Sequence, residues 1–228
     1  MSLHLTESKE YMIEHLNNMD VAWKQYASFE NGATTPNPTS FDSVVGANLT
    51  VTEASKYRDT YGAQVLLEAT KNHYGQFNGA SGFRRITIRW YFNKNNLAMA
   101  VGDGFRHLTL ESTGGAVSRA IDFQVSNIGG TVSFKATTFN DAGGQTNDAF
   151  AIPTGWNEIE LAWAAATGAA TNDGVVACKL NGAAAFTSRT NIDNNDYTLA
   201  ALRFGGHQGV DAGTSGTLYF DNIGYRRT

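Results

Sequence analysis

Apolar and polar residues alternate singly along most of the chain. The clearest run lies at 84–92, where Ile86, Ile88, Trp90 and Phe92 are interleaved with Arg85, Thr87, Arg89 and Tyr91. A period of two sends successive side chains to opposite faces, so this run predicts a half-buried strand with Trp90 in the core and Arg89 and Tyr91 on the other face. The alternation returns at 117–126, at 131–138 through Val132, Phe134 and Ala136, and at 157–163 through Ile159, Leu161 and Trp163. Further strand candidates cover 21–29, 63–69, 97–101, 105–111, 174–180, 183–188, 199–204 and 217–225. Roughly a dozen short strands without an intervening long helix predict an all-β fold, a two-sheet antiparallel jelly-roll sandwich.

Turn chemistry supports the pairing. Asn181-Gly182 between two apolar runs is a strong hairpin signal, and Asp103-Gly104 is a second. Gly, Asn and Thr gather at 31–48, 140–148 and 205–216, which read as long surface loops. The first twenty residues follow a different period: Thr6 can cap a helix on which Met12, Leu16 and Met19 recur near helical spacing. The predicted organisation is a short N-terminal helical arm at 1–20, followed by one sandwich domain at 21–228. Such an arm either folds back on its own sandwich or docks on a neighbouring subunit.

Composition adds exclusions. With 17 Lys and Arg against 21 Asp and Glu the net charge is −4, which argues against the basic stripe of a nucleic-acid surface. No stretch is long and apolar enough to cross a bilayer, and the mixed residues at 1–20 lack the continuous apolar run of a signal peptide. Cys178 is the sole cysteine, and its place in the Val176, Cys178, Leu180 alternation predicts a core residue without a disulfide.

Three words in order, Ser28-Phe29-Glu30-Asn31-Gly32, Tyr61-Gly62-Ala63-Gln64-Val65-Leu66 and Gly216-Thr217-Leu218-Tyr219-Phe220-Asp221-Asn222-Ile223, resemble the laminin G-like and carbohydrate-binding-module jelly rolls. Between them, the Trp-led stretch 155–163, then Asp173-Gly174 and Asn181-Gly182, are similar to the laminin G-like strand and hairpin. The resemblance spans about 28–226. It implies a structural Ca²⁺ held by Glu30 and Asp221, a staple between the first and last strands.

Catalytic signals are sparse. Glu158 and Glu160 share a face, but that face is opposite Ile159 and Leu161, and the third carboxylate of the glycosidase pattern is missing. A polysaccharide lyase needs a Tyr or His base near an Arg and an amide; Arg84, Arg85, Arg89, Arg106 and His107 are present, without recognisable strand motifs. The five histidines show no metal-ligand spacing. Aromatic rings with neighbouring polar groups suit a sugar, which makes Tyr74, Arg89, Tyr91 and His207 the candidate glycan ligands. The sequence therefore predicts a non-catalytic structural or attachment protein of a virion or similar assembly, partnered by neighbouring subunits through its arm or by a polysaccharide. The alternative is an extracellular carbohydrate-binding module, and a polysaccharide-degrading enzyme comes third.

Overall fold

The computed structural model describes residues 25–30, 32–34, 41–58 and 60–227. The predicted arm at 1–20 lies outside them. Two antiparallel sheets pack face to face. One runs in the order β13 (Ala183–Ala184), β12 (Gly174–Leu180), β11 (Trp156–Ala164), β6 (Arg85–Asn93), β16 (Gly216–Arg226), β4 (Gly62–Leu67) and β3 (Leu49–Thr52). On this nine-stranded sheet β1 (Gln25–Ala27) also pairs with β16, and β14 (Arg189–Ile192) with β12. The seven-stranded sheet runs β10 (Gln145–Ala151), β9 (Thr131–Phe139), β8 (Arg119–Ile128), β7 (Gly104–Thr113), β15 (Thr198–His207), β5 (His73–Phe77) and β2 (Ser43–Val45). The predicted all-β, two-sheet antiparallel sandwich is therefore the observed one.

The inward positions of both sheets form the core. Ile86, Ile88, Trp90 and Phe92 of β6 are fully buried, as the alternation requires, and face Phe123, Phe134 and Phe204 of the other sheet. Cys178 is buried too, and burial pushes its thiol up to about 12, so it stays protonated and unreactive. The Asn181-Gly182 hairpin forms, with both residues at positive φ (51° and 81°), the geometry that lets a two-residue turn follow the twist of β12 and β13.

Two local expectations fail. Residues 97–103 do not pair as a hairpin with 105–111: Ala98 makes one isolated bridge to Ser215, and the Asp103 carboxylate accepts the Ala100 N–H, closing a turn before β7 starts. The predicted loop at 140–148 is instead a tight turn, in which Asn140 Oδ1 accepts the Gly144 N–H, leading into β10. The side-chain capacity of Asp and Asn to close turns on neighbouring amides decides both cases.

Candidate functional site

The outward positions of the seven-stranded sheet carry the chain's concentration of site chemistry. Cross-strand register sets His207 of β15 opposite Arg106 of β7, Arg106 opposite Gln124 of β8, and Gln124 opposite Lys135 of β9. Directly opposed residues in antiparallel strands hold their Cβ atoms about 5 Å apart, so these four side chains make one continuous row. Arg106, Gln124 and Lys135 line a groove of about 880 Å³, joined by Asn147 from β10 and by Gln208 and Asp211 from the loop after β15. Tyr74 of β5 stands opposite Gly205 of β15, with its ring 5.3 Å from that of His207 and the Arg203 guanidinium 5.1 Å over its face. Gly205 is required there: its φ is +148° and a Cβ would lie 2.2 Å from the His73 carbonyl oxygen.

A buried carboxylate organises the cations. Asp122 Oδ2 lies 2.6 Å from Arg119 Nε and 2.9 Å from Arg106 Nε, while Asp122 Oδ1 accepts the Thr109 hydroxyl at 3.1 Å. The Arg106 N–H is not aligned for a hydrogen bond to Asp122, so that contact is ionic, and Arg119 donates the directed bond. Thr109 Oγ1 also lies 3.5 Å from His207 Nε2. With the Thr109 proton committed to Asp122, His207 carries its proton on Nε2 and keeps the lone pair on Nδ1. Burial, followed by the charges of Arg106, His107 and Arg203, holds His207 down at about 3, so it is neutral throughout the working pH range.

The structure separates the sequence candidates. Tyr74 and His207 come together beside the groove. Arg89 and Tyr91 lie on the far side of the molecule, outward on β6, where the Tyr57 ring stacks on Tyr91 at 3.8 Å and Tyr91 donates its hydroxyl to Glu158. Of the arginines and histidine considered for lyase chemistry, Arg106 reaches the groove. His107 points into the core among Phe92, Phe134 and Phe220, where burial holds it at about 4. Alternation alone puts Arg106 and His107 on opposite faces, and at the register shift between Arg106 and Leu108 both His107 and Leu108 are buried. Gln124, Lys135 and Asn147 escaped the sequence reading. Their only signal was that they occupy polar positions of alternating runs, and alternation does not reveal which strands become neighbours.

Glu30 and Asp221 hold the same short segment. Glu30 accepts the N–H groups of Thr60 and Tyr61, one on each oxygen, and Asp221 Oδ2 accepts those of Tyr57 and Arg58. Together they clamp the segment after the short 3₁₀ turn Glu53–Ser55. Desolvation pushes the buried Asp221 carboxyl up to about 7, the charge of Glu30 adds to this, and the amide N–H groups of Tyr57, Asn222 and Arg58 oppose it. The backbone on either side is held at positive φ, at Phe29 (62°) and Asn222 (50°). The two carboxylates offer hard oxygen donors of the kind Ca²⁺ takes, each oxygen already accepting a backbone N–H, and among the described residues no third acidic, His or Cys side chain joins them.

No protein-family model and no curated protein matches the chain. Its fold does match solved structures. The endo-β-1,4-glucuronan lyase of the fungus Trichoderma reesei superposes with TM-score 0.63 at 12% identity, covering 91% of this chain and 96% of that one. The PL-14 alginate lyase of Aplysia kurodai gives 0.62 at 13%, covering 91% and 100%. The receptor-binding domain of botulinum neurotoxin type G gives 0.56 at 10%, covering 90% of this chain and 48% of that one. Identities this low establish the shared jelly-roll sandwich. The expectation of a non-catalytic protein is corrected by these matches, since polysaccharide lyases are among the proteins that share this fold over their whole length. The virion or attachment role, and subunit docking through an arm, gain no support from these matches.

Proposed function

We propose that the chain is a lyase of uronate-containing polysaccharides that works in the groove of the seven-stranded sheet. The observation that carries this reading is the Arg106–Gln124–Lys135 row that lines the groove, continued beneath the surface by buried His207 with Tyr74 against it. Two cations and an amide suit a sugar carboxylate, and their field stabilises the carbanion-like charge that develops when the proton α to that carboxylate leaves. In the elimination the C5–H bond breaks, with its proton going to a base; a C4=C5 double bond forms; and the C4–O bond breaks, with the departing oxygen taking a proton. Tyr74 is the half-exposed titratable group next to neutral His207 and is assigned the proton transfer. Asp122 holds Arg106 from beneath and is a positioning residue.

The test is direct. Polyglucuronate and alginate are incubated with the protein, and the ultraviolet absorbance of the unsaturated uronate is followed. Wild type should generate it, and Arg106→Ala and Tyr74→Phe should each lower the rate about 100-fold or more. No absorbance from any uronate polymer would refute the assignment.

We further propose that Glu30 and Asp221 hold a structural Ca²⁺. Support comes from the mutual repulsion of the two carboxylates, the desolvation of Asp221 and the positive-φ backbone beside each. The ion would neutralise the pair and fasten the segment around Tyr57 and Thr60; it lies on the other sheet and takes no part in the elimination.

A further inference from the structure

The nine-stranded sheet has an outward row of its own. Trp156 of β11 and Tyr219 of β16 both stand opposite Asn93 of β6; Tyr219 stands opposite Gln64 of β4, and Gln64 opposite Thr50 of β3. The row thus reads Trp, Asn, Tyr, Gln, Thr across five strands, and all five side chains are half-exposed. The Trp156 and Tyr219 rings flank Asn93, 6.4 Å apart and within 30° of parallel. Along one side rises a wall, formed by the Tyr57 ring stacked on Tyr91 and 5.5 Å from Trp156.

We propose that this row is a second carbohydrate site, on the face opposite the groove, that takes uncharged pyranose units. Aromatic faces lie against the apolar C–H face of a pyranose. The Gln64 amide donates to the Thr50 hydroxyl and Asn93 Oδ1 accepts the Asn95 N–H, which fixes these side chains and leaves the Asn93 amide N–H and the Gln64 oxygen to meet sugar hydroxyls. The order of types is what a saccharide needs and a protein partner does not: rings alternate with amides instead of merging into one apolar patch. The row contains no ionised side chain, so a uronate carboxylate would find no cation in it, in contrast to the groove with Arg106 and Lys135. Beside the row, Glu158 accepts the Tyr91 hydroxyl and the Arg58 guanidinium lies 5.1 Å over the Tyr57 ring, so the wall carries one charge of each sign. The two sheets thus divide the chemistry, and a chain carrying both sites can hold a neutral polysaccharide while its other face meets an acidic one. The inference stands independently of the lyase reading.

Affinity electrophoresis tests it, in native gels containing hydroxyethylcellulose, xyloglucan, mixed-linkage β-glucan or galactomannan, with an alginate gel as the anionic control. Wild type should be retarded by at least one neutral polymer. Trp156→Ala and Tyr219→Ala should each weaken that retention about tenfold, the loss of one stacked ring. Trp156→Tyr, which keeps a ring and protects against misfolding of the alanine variant, should retain most of it, and Arg106→Ala should retain all of it. The proposal is overturned if none of the four polymers retards wild type, if the ring variants migrate like wild type, or if light scattering shows that they dissociate a dimer without affecting retention. Loss of lyase activity in Arg106→Ala with retention intact would separate the two sites.

Discussion

His107 is a fully buried titratable group of the core and gives a sharp stability prediction. It is fully buried, its Nδ1 donates to the Gly205 carbonyl at 3.1 Å, and its pKa lies at about 4 against an ordinary 6.5. The unfolded chain therefore binds a proton at His107 that the folded chain refuses between about pH 6.5 and pH 4, and stability falls as pH drops through that window. At about pH 5 the loss is about 2 kcal/mol, from about 1.4 kcal/mol per pH unit over the interval below 6.5. His107→Leu keeps an apolar side chain of similar size and removes the hydrogen bond, which costs about 1 kcal/mol at neutral pH. Urea unfolding should thus find the variant less stable than wild type by about 1 kcal/mol at pH 7.5, with the gap closed or reversed at pH 5. Other shifted groups, among them His73, His207 and Asp221, are common to both proteins, so the difference between the two reads His107. His207, held at about 3, likewise destabilises the fold on acidification, whereas Asp221, raised to about 7, stabilises it as pH falls from 7 towards 4. An equal difference between variant and wild type at the two pH values would refute the reasoning.

Other outcomes follow from the same contacts. Chelation should lower the melting temperature at pH 7.5, where Asp221 is ionised, and much less at pH 4.5, where it is protonated; calorimetry with and without chelator reads both, and no shift at either pH removes the Ca²⁺ proposal. Asp122→Ala should cost about 2–4 kcal/mol in urea unfolding, by leaving Arg106 and Arg119 without their buried counter-ion, and should raise the KM for a uronate polymer by loosening Arg106; a variant with unaltered KM would deny Asp122 a positioning role. Gly205→Ala should be destabilised by more than about 3 kcal/mol in the same assay, since its Cβ meets the His73 carbonyl and its φ is unfavourable for any L side chain.

What the sequence disclosed was local and what it withheld was pairing. Alternation in 84–92 is a property of one strand, so it correctly sent Trp90 inward and Tyr91 outward. The Asn181-Gly182 turn is equally local and formed as expected. The row depends on non-local register: His207 and Arg106 are a hundred residues apart in sequence and become neighbours through β15–β7 pairing, with a register shift beside them in both the β15–β7 and β7–β8 ladders. No period in the chain encodes that. The same limit leaves unread which of Arg84, Arg85, Arg89, Arg106 and His107 share a site. Adjacent residues of a strand point to opposite faces, so with Arg106 outward His107 lies among the core rings. Glu30 and Asp221 were reached from the resemblance, and the structure shows why their pairing matters locally: between them they accept four amide N–H groups of the segment that carries Tyr57.

That clamp links the two ends of the chain to the second carbohydrate row. Tyr57 is held over Tyr91 by backbone bonds to Asp221, and Asp221 stands opposite Tyr91 in the β16–β6 register, so one residue both pairs with the strand under the stack and fixes the segment above it. Deprotonating Asp221 strengthens its hydrogen bonds to Tyr57 and Arg58 but sharpens its repulsion with Glu30, and only a bound cation relieves the second effect while keeping the first. The Tyr57 wall should therefore be firmest with cation present at neutral pH, and the retention of neutral polysaccharide, unlike elimination in the distant groove, should weaken when the cation is removed.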